Sequence, residues 1–188
     1  MEKKHIITIA GKPGSGKSTA SKGVAKTLKY DHFSSGDLFR AIGKERGIDV
    51  FQINLVAEQE QEIDELVDQK LRDLGKEKDN LVIDSRMAWH WMPYSFRVYL
   101  DLDLTTAAKR IFGTLDKARI EAEEIPDTLE KYTERLQHRL DSEIKRYMKL
   151  YQANPYDHTN YDLVIDTAKN NPKEVRELIA QGYTNWLQ

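Results

Sequence analysis

Gly11, Lys12, Pro13, Gly14, Ser15, Gly16, Lys17 and Ser18 follow the spacing G-x-x-x-x-G-K-[ST], the arrangement that cradles a polyphosphate. Each residue type has a chemical reason. Gly11, Gly14 and Gly16 permit backbone angles and close approaches that a Cβ would block. The amide N–H groups then turn inward as an anion nest at a helix N-terminus. Lys17 can reach β- and γ-phosphates, and the Ser18 hydroxyl can ligate Mg²⁺. The motif says nucleoside triphosphate and leaves the reaction open, because hydrolytic switches, motors and small-molecule kinases share it. A guanine-reading Asn-Lys-x-Asp is absent, which disfavours a GTPase. The length disfavours an AAA-type module with a helical lid domain.

Other groups could work beside this loop. Asp37 and Arg40 follow an apolar run, Asp84 and Arg86 follow another, and Arg135, Arg139 and Arg146 recur on one late segment. Helical spacing puts these last three on a shared face. Such a set suits the seating of a second, phosphate-bearing substrate. Each has a plainer alternative: a helical pair of Arg40 with its Lys44 and Glu45 neighbours, a strand-end salt bridge between Asp84 and Arg86, and an i,i+4 pair between Arg139 and Glu143.

The elements that must position these groups are legible in outline. Apolar runs at 5–10, 30–34, 81–84, 97–102 and 162–166 read as strands, and helical patterns cover 17–28, 37–46, 53–73, 105–113, 127–152 and 173–187. Thr105 and Asp127 are the expected N-caps, and Pro172 is tolerated at a helix start. Strand alternating with helix predicts a doubly wound α/β domain, with ligands beyond the C-terminal strand ends. The acidic segment from Val50 to Lys78 carries Leu55, Ile63, Leu66, Val67 and Leu71 at sparse apolar positions. It reads as an arm over the substrate side.

Composition narrows the classes. The 188 residues suit a single domain, and there are no cysteines, hence neither disulfides nor a thiolate zinc site. That fits a cytoplasmic protein. The first apolar run is too short for a signal peptide, and no stretch has the roughly 20 apolar residues that span a bilayer. A net charge of −2 argues against a nucleic-acid binder. The five histidines are scattered and form no metal-ligating cluster.

The phosphate loop through Thr19, the block Ser34-Ser35-Gly36-Asp37-Leu38-Phe39-Arg40, the run Val82-Ile83-Asp84-Ser85-Arg86, the helix Ser142-Glu143-Ile144-Lys145-Arg146-Tyr147 and the strand Tyr161 to Thr167 together resemble the nucleoside monophosphate kinases. They are most similar to the short archaeal-type cytidylate kinases. The resemblance covers nearly the whole chain, although Ser85 replaces a usual Gly and the aromatic run Met87-Ala88-Trp89-His90-Trp91 is a departure. It implies a P-loop three-layer α/β/α fold with a five-stranded parallel sheet, a helical monophosphate-binding arm at about 36–75 and a small lid at about 110–130. It implies Mg²⁺-dependent transfer from ATP to CMP or dCMP by a monomer acting on small nucleotides, with neither nucleic acid nor membrane as partner. Lys17, Arg86, Arg139 and Arg146 would be catalytic. Gly11, Pro13, Gly14, Ser15, Gly16, Lys17, Ser18, Thr19, Arg110 and Lys169 would hold ATP, with Arg119 a further lid candidate and Thr167 to Asn170 near adenine. Ser35, Gly36, Asp37, Arg40, Asp68 and Arg86 would hold the acceptor, Asp64 being the alternative to Asp68 as reader of the cytosine amino group. Ser18 and Asp84 would serve the metal. Other readings are a kinase for AMP or UMP, or a nucleotide-binding regulator without transfer.

Overall fold

The computed structural model describes residues 4–48, 52–53, 56–57, 60–114, 126 and 128–188. Its centre is β1 (Ile6–Gly11), buried at every position. Parallel neighbours enclose it on both sides: β3 (Leu81–Asp84) pairs Ile6 with Leu81, and β4 (Phe96–Asp101) pairs Ile7 with Phe96. With β2 (Asp31–Ser34) and β5 (Leu163–Asp166) at the edges, the five-stranded sheet has the order β2-β3-β1-β4-β5. A strand buried on both faces reads as a continuous apolar run, which is why IITIAG lacks an alternating pattern.

The two faces of β1 feed different clusters. Ile7 and Ile9 pack with Val82, Val98 and Leu100 against α1 (Lys17–Leu28) and α7 (Pro172–Leu187), through Val24, Val175 and Ile179. On the other face Ile6 joins Leu71, Leu74, Ile83 and Met92, and Ala10 joins Tyr99, Tyr147 and Tyr161. This face is covered by α3 (Gln61–Glu77), the single turn α4 (Ala88–Trp91) and α6 (Leu129–Tyr151). Thr8, the polar member of that side, is satisfied by Ser95 at 3.1 Å. α2 (Ser35–Glu45) follows β2, and α5 (Leu104–Phe112) packs on α6 through Ala108, Tyr132 and Leu136.

All five expected strands form, within a residue or two of their anticipated limits. Several details differ. Asp103, not Thr105, caps α5, because its carboxylate reaches the Thr106 amide at 2.8 Å. Thr128 caps α6, and Asp127 lies outside the described residues. Pro172 does open α7, behind an Asn171–Glu174 capping box. In the acidic segment α3 begins at Gln61, Leu55 lies outside the described residues, and Leu66 is 49% exposed. The buried stripe is instead Ile63, Leu71 and Leu74, with Val67 packed against it. α4 was not anticipated, being too short to show a period.

The sheet dictates the entry to the phosphate loop. Gly11 closes β1 with φ +145°, and a Cβ there would sit 2.4 Å from the Leu100 carbonyl oxygen of β4. Both strain and overlap oppose a side chain. Gly11→Ala should therefore destabilise the protein by about 1–3 kcal/mol through overpacking alone, with the left-handed φ adding to it. Thermal unfolding monitored by circular dichroism checks this.

Candidate active site

Beyond the C-terminal ends of β1, β2 and β3 lies a cavity of about 380 Å³. The phosphate loop, Ser34 to Gly36, the segment after β3, one side of α3 and one side of α6 converge on it. Gly16 caps α1 with φ 84°, and Gly14 (φ +76°) lies so near α5 that a Cβ would come within 2.9 Å of the Ala107 carbonyl oxygen. The loop can thus close onto a ligand only with glycine at these places. Ser15 is 2% exposed, and its hydroxyl has no hydrogen-bond partner among the described residues. A buried orphan hydroxyl inside a ring of amides fits a loop built to receive anionic oxygens.

Lys17 lies at the cavity floor and donates to the Lys12 carbonyl at 3.0 Å. Burial, reinforced by the neighbouring Arg86 charge and opposed by Asp84, brings its pKa down to about 7. Ser18 donates to Asp84 at 2.6 Å. A hydroxyl and a carboxylate side by side at the mouth of the loop form a hard oxygen pair, and Mg²⁺ is held by such pairs together with substrate phosphate. The donor set therefore fits the metal.

The opposite wall carries the guanidinium groups. Arg86, Arg139 and Arg146 all line the cavity, as does Arg40, which is half exposed and paired with Asp37. Arg86 does not turn back to Asp84. Its Nε meets Glu143 at 2.9 Å, and Arg139 Nε meets the same carboxylate at 3.0 Å. Tyr156 donates a further hydrogen bond to Glu143. Burial alone would raise the pKa of Glu143. The Arg86 and Arg139 charges and the Tyr156 hydroxyl outweigh it and hold the carboxyl at about 2. Arg146 Nε meets Asp64 at 3.1 Å, and both side chains are only 8% exposed. Burial, only partly offset by Arg146, moves Asp64 up to about 6, with Asp68 and Glu143 adding to the rise.

Asp68, on α3, also lines the cavity. Both of its oxygens already accept bonds: Oδ1 from Trp91 Nε1 at 2.9 Å and Oδ2 from the Tyr151 hydroxyl. The aromatic run after β3 is packing material. Trp89 ties its indole N–H to the Arg86 carbonyl at 2.9 Å, and Trp91 lies under the Arg72 guanidinium.

The other expected residues fall as follows. Pro13, Gly14, Lys17, Ser18, Ser35, Gly36 and Asp84 line the cavity, and Ser35 reaches the Asp84 carbonyl at 3.4 Å. Gly11, Ser15, Gly16 and Thr19 belong to the loop and the start of α1 and are not among the described lining residues. Asp37 stands at the rim through Arg40. Arg110 is elsewhere, donating to the Thr167 carbonyl at 2.6 Å. Lys169 has an 81% exposed side chain paired with Asp166 and is not among the lining residues. Arg135 is likewise not among the described lining residues. Arg119 and most of the expected lid lie outside the described residues. Sequence reasoning missed Glu143 as a member of the site, as well as Tyr156 and Tyr151. The signals for Glu143 were the Ser-Glu-x-x-Arg-Tyr block, which placed it near Arg146, and its i,i+4 spacing from Arg139.

Because the folded-state pKa of Glu143 is depressed, its contribution to stability is present above the unfolded value near 4.5 and is lost as pH falls toward 2. The stability advantage of the wild type over Glu143→Gln should accordingly shrink between about pH 5 and about pH 2, as read from denaturant midpoints across that range.

Comparison with known proteins places these features in a family. A family model described as an AAA domain matches residues 10–111. The length-based objection to an AAA-type module is thereby corrected for the core: the match runs from the end of β1 to α5 and includes the phosphate loop. The chain is 36% identical over 177 residues to a cytidylate kinase of Natronomonas pharaonis, covering 93% of this chain and 86% of that protein. It is 35% identical over 164 residues to a cytidylate kinase of Methanothrix thermoacetophila, covering 87% and 89%. In fold it is similar to the shikimate kinase of Aquifex aeolicus, with a TM-score of 0.59 at 19% identity over 96% of each chain. These matches and the P-loop architecture agree: the chain belongs to the AAA-domain P-loop proteins and, among them, to the cytidylate kinase-like nucleoside monophosphate kinases.

Proposed function

We propose that this nucleoside monophosphate kinase takes CMP or dCMP as acceptor and ATP as donor, giving CDP or dCDP. One observation carries the reading: Lys17, Arg86, Arg139 and Arg146 converge from three segments on a single cavity that the α3 carboxylates Asp64 and Asp68 also line. The cationic groups suit two phosphate chains in line, and a carboxylate suits the N4 amino donor of cytosine. Cytidylate kinases among the relatives support the same acceptor.

Phosphoryl transfer asks the protein for positioning and charge more than for covalent chemistry. The phosphate-loop amides and Lys17 hold the β- and γ-phosphates of ATP. Ser18 and Asp84 would hold Mg²⁺, which would supply charge neutralisation for the phosphates. Arg40 and Arg86 grip the acceptor phosphate as planar forks. Arg139 and Arg146 face the space between donor and acceptor, where negative charge spreads over the transferred group. Arg110 and the backbone after β5 flank the donor base. Asp64, already partnered by Arg146, offers its carboxylate to the cytosine end. A kinase for another monophosphate is the alternative, favoured by the engagement of both Asp68 oxygens with Trp91 and Tyr151.

ADP release measured against a panel of CMP, dCMP, UMP and AMP tests the acceptor. Strong dependence on a cytosine monophosphate is expected, and a preference for AMP or UMP would replace this reading. Lys17→Ala should abolish transfer with an unchanged circular dichroism spectrum. Arg86→Ala should raise the acceptor KM and lower kcat, with a loss in kcat/KM on the order of 100-fold.

A further inference from the structure

We infer that Glu143 is a positioning residue that holds Arg86 and Arg139 together as one carboxylate between two guanidinium groups, with Tyr156 fixing it, so that Arg86 faces the acceptor phosphate and Arg139 the transferring phosphoryl group. The inference rests on the kinase reading above and adds to it an acid that touches neither nucleotide.

Three observations carry it. Glu143 contacts both arginines at their inner nitrogen, Arg86 through Oε2 at 2.9 Å and Arg139 through Oε1 at 3.0 Å. Arg139 donates its Nε–H to that carboxylate, whereas Arg86 is held by charge, its Nε lying close without a hydrogen bond among the described residues. Second, the carboxylate is 2% exposed and cavity-facing. It is held from a third direction by the Tyr156 hydroxyl on Oε2. Tyr156 is itself fixed, its amide donating to Asn154 Oδ1 at 2.9 Å. Third, the stoichiometry is one anion to two cations. Two guanidinium groups driven into one buried space repel each other, and a single carboxylate between them removes that repulsion while leaving one positive charge over for the phosphates. A second acid would cancel that charge, and no acid would let the arginines turn away. The clamp joins the segment after β3 to α6, which also pack on each other through Met87, Trp89 and Tyr147.

The test uses the full chain with arginine labelled at ¹⁵Nε, together with steady-state kinetics on the acceptor the wild type prefers. In the wild type, the Arg139 Nε–H resonance should be shifted downfield and protected from exchange. In Glu143→Gln it should lose that signature, kcat should fall on the order of 100-fold from misplaced charge, and the KM for ATP should stay within about twofold, since Lys17 and the loop are untouched. In Tyr156→Phe the Arg86 resonance should move and the Arg139 resonance should hold, because Tyr156 shares Oε2 with Arg86 alone. This variant decides the matter if Glu143→Gln fails to fold. Absence of that protected resonance in the wild type overturns the clamp. So does a folded Glu143→Gln that loses it yet turns over at the wild-type rate, or a Tyr156→Phe that leaves the Arg86 resonance in place. If the wild type transfers to no nucleoside monophosphate, the functional reading fails, while the resonances still decide the clamp by themselves.

Discussion

A buried charge must be paired, and the cavity of this protein is organised around that requirement. Removing an ion from water costs several kcal/mol even after relaxation. Here Arg86, Arg139 and Arg146 are gathered at one place with Glu143 and Asp64 as their partners. The acids lie on α3 and α6, the helices that flank the cavity, while the arginines come from α6 and from the segment after β3. The Arg86–Glu143 and Arg146–Asp64 pairs are therefore also ties between elements. The site and its walls hold one another in place, and incoming phosphate oxygens meet cations already assembled.

The sheet supplies the frame on which this pairing can be built. β1 is enclosed by parallel neighbours and buried throughout, so the turn at its end is fixed in position relative to Asp84 at the end of β3. Ser18 on α1 then meets Asp84 directly. Nothing in that arrangement requires the acceptor to be present. The donor side of the cavity is preformed by hydrogen bonds of the core.

How much of this the sequence reveals depends on how local the cause is. The phosphate loop is a contiguous pattern with its reason inside it, and the five strands are short apolar runs between helical ones. Both were legible. Arg139 and Glu143 were visible too, but as an ordinary pair one helical turn apart, the kind that lines a solvated face. What distinguishes Glu143 is a contact with Arg86 and another with Tyr156 from irregular chain after α6, and neither has a sequence signature. The cap of α5 shows the same limit: Thr105 and Asp103 are both good caps, and only the direction in which the chain enters the helix selects the aspartate. Leu66 looks like part of an apolar stripe, yet the stripe turns with the helix and leaves it outside. The aromatic run after β3 carries no period at all, and its role in bracing Arg86 and Asp68 emerges only when α3 and α6 are folded over it.

The node at Asp68 has a consequence for how such a chain can change over generations. One carboxylate serves an indole from α4 and a phenol from α6, so three positions far apart in the gene share a single fate. Replacing the acid alone would strand two half-buried donors, and replacing either donor alone would leave the acid short of a neighbour. New acceptor preferences are thus more accessible through Asp64, whose obligations are to Arg146, than through Asp68, where drift must wait for several substitutions to arrive together.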